Sequence, residues 1–219
     1  MTISSRYANN FVPIKYMLSS YRALSDGRAG TMHLESILED NKLVLSRWKV
    51  VWSGTCATLR TAVELFRVDS RSCLNEAIRH ELCSEWDQIK KNDQDHKIYW
   101  HFLRAERNNI MHEYKWTAYE VWMKPDGTVQ SPPSILALAL GHDNATISLP
   151  MRSGPFEGQD SLELLKEAAD WVEARIFAAI TRAGYDPDEK RGVFDFREMP
   201  STPISEAGIL AQRDKASTR

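Results

Sequence analysis

Between Met32 and Phe66 apolar residues recur at steps of three, four and seven, with Leu34, Ile37, Leu38, Leu45, Trp48, Val51 and Trp52 on one face of a helix. Thr31 is a candidate N-cap for this run, and Gly54 is a point where it bends or divides. The same period returns in "DSLELLKEAADWVEARIFAAITRAG", where Asp160 or Ser161 caps the start and Gly184 the end. There Leu162, Leu165, Ala169, Val172, Ile176 and Ile180 form the stripe. Between them "CLNEAIRHELCSEWDQIKK" reads as a further helix with Leu74, Ile78, Leu82, Trp86 and Ile89 inward, after a turn or cap at Asp69 and Ser70. Ahead of all of these, "IKYMLSSYRALSDG" predicts a short helix stopped by Gly27. Faces of this kind bury themselves against one another, so the expectation is a helical bundle.

The period changes once. "KWTAYEVWM" alternates and "KPDGT" has turn chemistry, which predicts a hairpin from Thr117 to Met123 and on past Gly127. "SILALAL" and "ATISLP" add two short strands around "GHDN". The fold class is therefore mainly α, a helical bundle with a small antiparallel β insertion. The expected organisation is a lead-in over residues 1–30, a bundle over 31–185 with its insertion at about 116–150, and an irregular tail over 186–219 in which "VFDF" docks on the bundle. A chain of 219 residues with 42% hydrophobic and 26% charged residues supports one such domain.

Charge and cysteine content narrow the function classes. A net charge of -2 gives no broad basic field, so a polyanion has to meet a local patch. Cys56, Cys73 and Cys83 are odd in number and lack paired ligand spacing, which fits a reducing compartment and excludes a cysteine zinc site. The opening residues carry no signal-peptide pattern, and the longest apolar run, "ILALAL", has six residues. The expectation is a cytoplasmic protein with no membrane span.

The segment that sets the chain apart is "YWHFLRAERNNIMHEYKW", residues 99–116. At about 100° per residue, His101, Arg104, Asn108 and His112 fall close to one line, and Arg107 lies at the edge of an apolar face with Leu103, Ile110, Met111 and Tyr114. One account is structural: Arg107 bonds a carboxylate such as Glu81 or Glu85, and Asn108 fixes the His112 ring. The other is chemical. Cleaving RNA with its own 2'-hydroxyl needs a base, an acid and a cation for the phosphate, roles that His and Arg supply without metal. His101 is eleven residues from His112, about 16 Å along a helix, too far to serve as the second proton-transfer group. A two-fold dimer would supply base and acid from equivalent histidines.

"RNNIMHEY" resembles the signature of HEPN domains, an all-helical family of nucleic-acid-cleaving toxins and defence proteins. The matching positions are Arg107, Asn108 and His112, and Tyr114 gives the spacing Arg-x4-His-x-Tyr found in HEPN toxins. The resemblance spans about Thr31–Tyr114 and the helix from Ser161 to Gly184; it does not extend to the β insertion or the tail. It implies a metal-independent endoribonuclease with a composite site at a homodimer interface, RNA as substrate, and an antitoxin or regulatory protein as partner. In the paired toxins the tyrosine is the residue that the antitoxin blocks by adding AMP. Catalytic roles fall to Arg107, His112 and Asn108, with Tyr114 and Arg104 in support. The family also contains noncatalytic members that bind nucleotides or proteins, and in that alternative the Arg/His motif is structural.

Trp48, Trp52, Trp86, Trp100, Trp116 and Trp122 read mainly as core, with Trp116 and Tyr119 near enough to the motif to stack on a base. His33, His80, His96 and His142 read as solvated. No spacing calls for a metal or another cofactor, and neither a phosphate loop nor a nucleophile elbow is present.

Overall fold

The computed structural model describes residues 11–39, 45–73, 75–124, 126–131 and 146–192. It is mainly helical with a small antiparallel sheet. The helices are α1 (Ser19–Glu39), α2 (Leu45–Glu64), α3 (Phe66–Ser72), α4 (Glu76–Lys91), α5 (Arg104–Asn108) and α6 (Ser161–Arg182). A 3₁₀ turn, Ile14–Met17, precedes α1. A π-helical turn leads into α5 (Ile98–Leu103) and another follows it (Asn109–Glu113), so residues 98–113 form one continuous motif helix.

The first helix does not stop at Gly27. It runs through Gly27, Gly30 and Thr31, and carries the expected division at residue 30 inside the bundle, with Ile14, Leu18 and Leu24 buried in the core. A local helix breaker is overridden here by packing. A Cβ on Gly27 would stand 2.5 Å from Leu59 Cδ2, and one on Gly30 would stand 2.3 Å from Thr55 Oγ1. The two contacts run in opposite order along α1 and α2, so the helices are antiparallel, and the glycines let their backbones approach. The Thr31 hydroxyl donates to the Gly27 carbonyl within the helix, in place of its expected capping role.

Asp69 was expected in a turn and lies instead in α3, 2% exposed. Its carboxylate accepts from the backbone N–H of Ser19 at 3.0 Å and of Ser20 at 2.8 Å. These are orphan donors at the start of α1, so α3 caps another helix across fifty positions of chain. The cap of α4 is Asn75, whose side chain accepts from Ile78 N. That of α6 is Asp160, one of the two expected candidates, accepting from Leu162 N and Glu163 N. Gly184, at φ 88°, follows α6.

α6 buries every residue of its expected stripe. Ion pairs tie its polar edges to α1, through Arg28 with Asp170 and Glu173, and to α4, through Arg182 with Glu81 and Glu85. In α2 the fully enclosed indoles of Trp48 and Trp52 stack at 4.8 Å and Phe102 of the motif helix closes on Trp52 at 5.9 Å. Burying each large side chain is worth about 1.5–3 kcal/mol.

The insertion forms a sheet in the order β3-β2-β4, from β2 (Val121–Met123), β3 (Val129–Gln130) and β4 (Thr146–Ser148), all antiparallel. The hairpin and, from Thr146 to Ser148, the expected strand after "GHDN" are thus present, Trp122 being buried at the sheet's centre, while "SILALAL" lies outside the described residues. β1 (Val12–Pro13) pairs antiparallel with β5 (Lys190–Arg191), and "VFDF" also lies outside the described residues. Among the described residues no helix is long and apolar enough to cross a membrane.

Candidate active site

The motif helix docks through Tyr99, Phe102, Leu103, Glu106 and Ile110, all buried. Glu106 is the unexpected member of that face. It is 2% exposed, and its carboxylate accepts from Trp52 Nε1 at 3.0 Å, from Thr117 N at 3.3 Å and from the Thr117 hydroxyl. One buried acid therefore joins α2, the motif helix and the chain leaving it. It lies on the helix face already occupied by Phe102, Leu103 and Ile110, a position from which its burial could have been read. Burial, with Glu106 nearby, holds the Cys56 thiol well above its ordinary range, which makes it a poor nucleophile.

Arg107, next along the helix, is half-buried and points elsewhere. Its Nη1 donates to Asn108 Oδ1 at 3.3 Å, and Arg60 Nη1 of α2 donates to the same oxygen at 3.2 Å. Two guanidinium groups thus converge on one amide carbonyl. Arg60 is also held by Glu64, through Nε at 3.0 Å and Nη2 at 2.7 Å, whereas Arg107 has no carboxylate partner among the described residues. The structural account of Arg107 is overturned in its particulars. Glu81 and Glu85 pair with Arg182, at 2.7 and 2.6 Å, and Asn108 bonds arginines rather than the His112 ring.

His112 is exposed, and its ring makes no hydrogen bond among the described residues. Met111 and Tyr114, expected on the apolar flank, are 63% and 78% exposed. The cause is the helix end. From Asn109 onward the backbone winds as a π turn, which displaces side chains from the 100° register. At Tyr114 it enters the left-handed region, with φ 53° and ψ 36°, a helix-stopping conformation that usually belongs to glycine. The Tyr114 ring swings out of the helix and meets Trp116 edge-on at 4.5 Å. Lys115 bonds Glu113 and holds its carboxyl below the usual range.

The other expected participants divide. Arg104 is exposed and lies over the Trp100 ring at 4.6 Å, and His101 is tied to Asp93 at 3.2 Å at the helix's opposite end. Trp116 donates to Ser53 Oγ at 3.2 Å with Lys49 Nζ 4.7 Å from its ring. Together with Val50, Ile110, Met111 and Tyr114 these residues line a groove of about 610 Å³. Tyr119 is not part of that groove and packs under Arg152 at 5.4 Å. Arg60 and Lys49 went unnoticed in the sequence, because only the packing of α2 on the motif helix brings them here. Among the described residues no three His, Cys, Asp or Glu side chains gather as metal ligands.

Comparison with protein-family models, curated proteins and solved structures returned no match for this chain. The likeness to HEPN domains rests on the sequence alone.

Proposed function

We propose that this chain is a HEPN-like, metal-independent endoribonuclease of a toxin–antitoxin or phage-defence type, acting in the cytoplasm as a homodimer. Arg107 binds the scissile phosphate, His112 transfers protons, and Asn108 holds the Arg107 fork in place. Arg60 adds positive charge beside it, and Arg104 and Tyr114 extend the RNA-contacting face. The observation that carries this reading is an arginine with no carboxylate partner among the described residues, held by Asn108, one turn before an exposed histidine. A guanidinium buried for structure alone is ordinarily paired with an acid. A free fork suits a phosphate.

The test is cleavage of mixed RNA in EDTA by the purified chain and by its His112→Ala and Arg107→Ala variants. The expected products end in a cyclic phosphate and a free 5'-hydroxyl. Each variant should lose roughly 10²- to 10⁴-fold in rate. His112→Ala should melt within about 0.5 kcal/mol of wild type, as expected for an exposed side chain. An inactive wild type, or cleavage that persists without His112, sinks the proposal.

The second reading is a noncatalytic interaction module that binds a protein or nucleotide, and the groove beside Tyr114 favours it. Val50, Met111 and Tyr114 stand exposed there, the kind of apolar surface that marks a contact face. RNA binding or partner capture by a protein that cleaves nothing would select that alternative.

A further inference from the structure

At the other end of the motif helix the connection from α4 passes between α4 and α6, and a cavity of about 520 Å³ opens there. Gln88 and Lys91 of α4, His96 of the connection, and Trp171 and Arg175 of α6 line it. His96 was expected to be solvated and is 7% exposed. Its backbone carbonyl accepts from Tyr99 N and Trp100 N, so it starts the motif helix, and its ring stands edge-on to Trp171 at 5.6 Å. Three polar atoms around this point are buried without a hydrogen-bond partner: His96 Nδ1, Arg175 Nε and Glu85 Oε2.

The charges here do not close on themselves. Glu85, 1% exposed, is engaged by Arg182 at 2.6 Å, which leaves Arg175 at 3.8 Å as its distant second cation. Lys91 has no ion pair among the described residues. The one acid on the cavity wall, Asp95, is exposed and bonded to Asn92. Two underused cations thus face a cavity with an indole on one side and the Gln88 amide on another. Buried polar atoms without a partner, such as Arg175 Nε, are rare in a finished protein interior.

We propose that this cavity binds a small anion with a phosphate or carboxylate on a flat apolar ring, the acid on Arg175 and Lys91 and the ring against Trp171. The acid group supplies acceptors to guanidinium and ammonium, and the ring covers an aromatic surface that water solvates poorly. This site is separate from the Arg107–His112 face and holds or fails independently of the ribonuclease reading.

Phenyl phosphate, benzoate and inorganic phosphate, titrated into the full-length protein, test it. The indole N–H resonance of Trp171, assigned by loss in Trp171→Phe, reports the site, and calorimetry reports affinity. Saturable binding of phenyl phosphate or benzoate that shifts the Trp171 signal is the expected result, and which of the two binds tighter identifies the acid. Arg175→Gln and Lys91→Gln should each weaken it about tenfold, the scale of one charge-assisted hydrogen bond. Because Arg175 also faces Glu85, the exposed Lys91→Gln variant keeps the test independent of folding. Trp171→Leu should remove the preference for phenyl phosphate over inorganic phosphate. The proposal is overturned if none of the three probes binds, if both charge variants bind like wild type, or if inorganic phosphate binds wild type as tightly as phenyl phosphate.

Discussion

Single residues here often serve a partner that local sequence cannot name. Arg107 was legible as an arginine at the edge of an apolar face, but the sharing of its partner oxygen, Asn108 Oδ1, with Arg60 depends on a helix forty-eight positions from Asn108. Asn108 therefore reads as a holder of cations, where spacing suggested a holder of imidazole. His96 shows the same limit, since its polar neighbours in sequence hide its burial between α4 and α6. Burial, reinforced by Arg175 and offset in part by Glu85 and Asp95, holds its imidazole below the ordinary histidine range. The unfolded chain then takes up the proton first as pH falls. Stability is fully present above the unfolded value of about 6.5 and declines as pH drops through the lower folded value. Thermal melts should accordingly show a lower transition at about pH 5.5 than at about pH 7.5, and His96→Gln should flatten that difference. Parallel pH profiles for the two proteins would refute the assignment.

Among the elements, α6 was legible almost whole, because its cap, stripe and terminal glycine all follow from local chemistry. The motif helix was legible as a helix, yet neither its closing π turn nor the left-handed backbone at Tyr114 was, and Met111 and Tyr114 stand exposed where the helix ends. α1 departs from the local stop signal at Gly27, where tertiary contact outweighs a propensity cost of about 1 kcal/mol for glycine over alanine. That balance gives opposite signs for one chemical change. Gly30→Ala gains the propensity but drives a methyl into the buried Thr55, for a net loss of about 1–2 kcal/mol. Gly54→Ala, on an exposed stretch of α2 with nothing within 4 Å, should gain up to about 1 kcal/mol. Urea unfolding of the pair measures both. A Gly30→Ala protein as stable as wild type would mean that α1 and α2 lie farther apart than described.

For the whole molecule, the helical class and its small sheet followed from periodicity, whereas the choice of which helices touch followed from contacts that periodicity does not encode. One chain offers one suitably exposed histidine in the motif, so the proposed reaction needs a second copy. The groove of Val50, Ile110, Met111 and Tyr114, at the same end of the motif helix as His112, supplies apolar surface for that contact. Light scattering should give twice the 25.1 kDa chain mass at micromolar concentration. Met111→Glu, at a 63% exposed position, should shift it to monomer while leaving the helical circular dichroism of the folded chain unchanged. A wild-type monomer under working conditions would leave the composite site without its second half.

The carboxylate of Asp69 on the first turn of α1 also sets an order of events during synthesis. A nascent chain leaves the ribosome N-terminus first, at about 5–20 residues per second. Ser19 and Ser20 therefore emerge seconds before the side chain that will satisfy their amides. The seven-residue α3 that carries Asp69 is too short to persist alone. Neither piece can finish without the other, so the start of α1 stays frayed until Asp69 is clear of the ribosome. The bundle's first helix in sequence is in this respect one of its later parts to be completed.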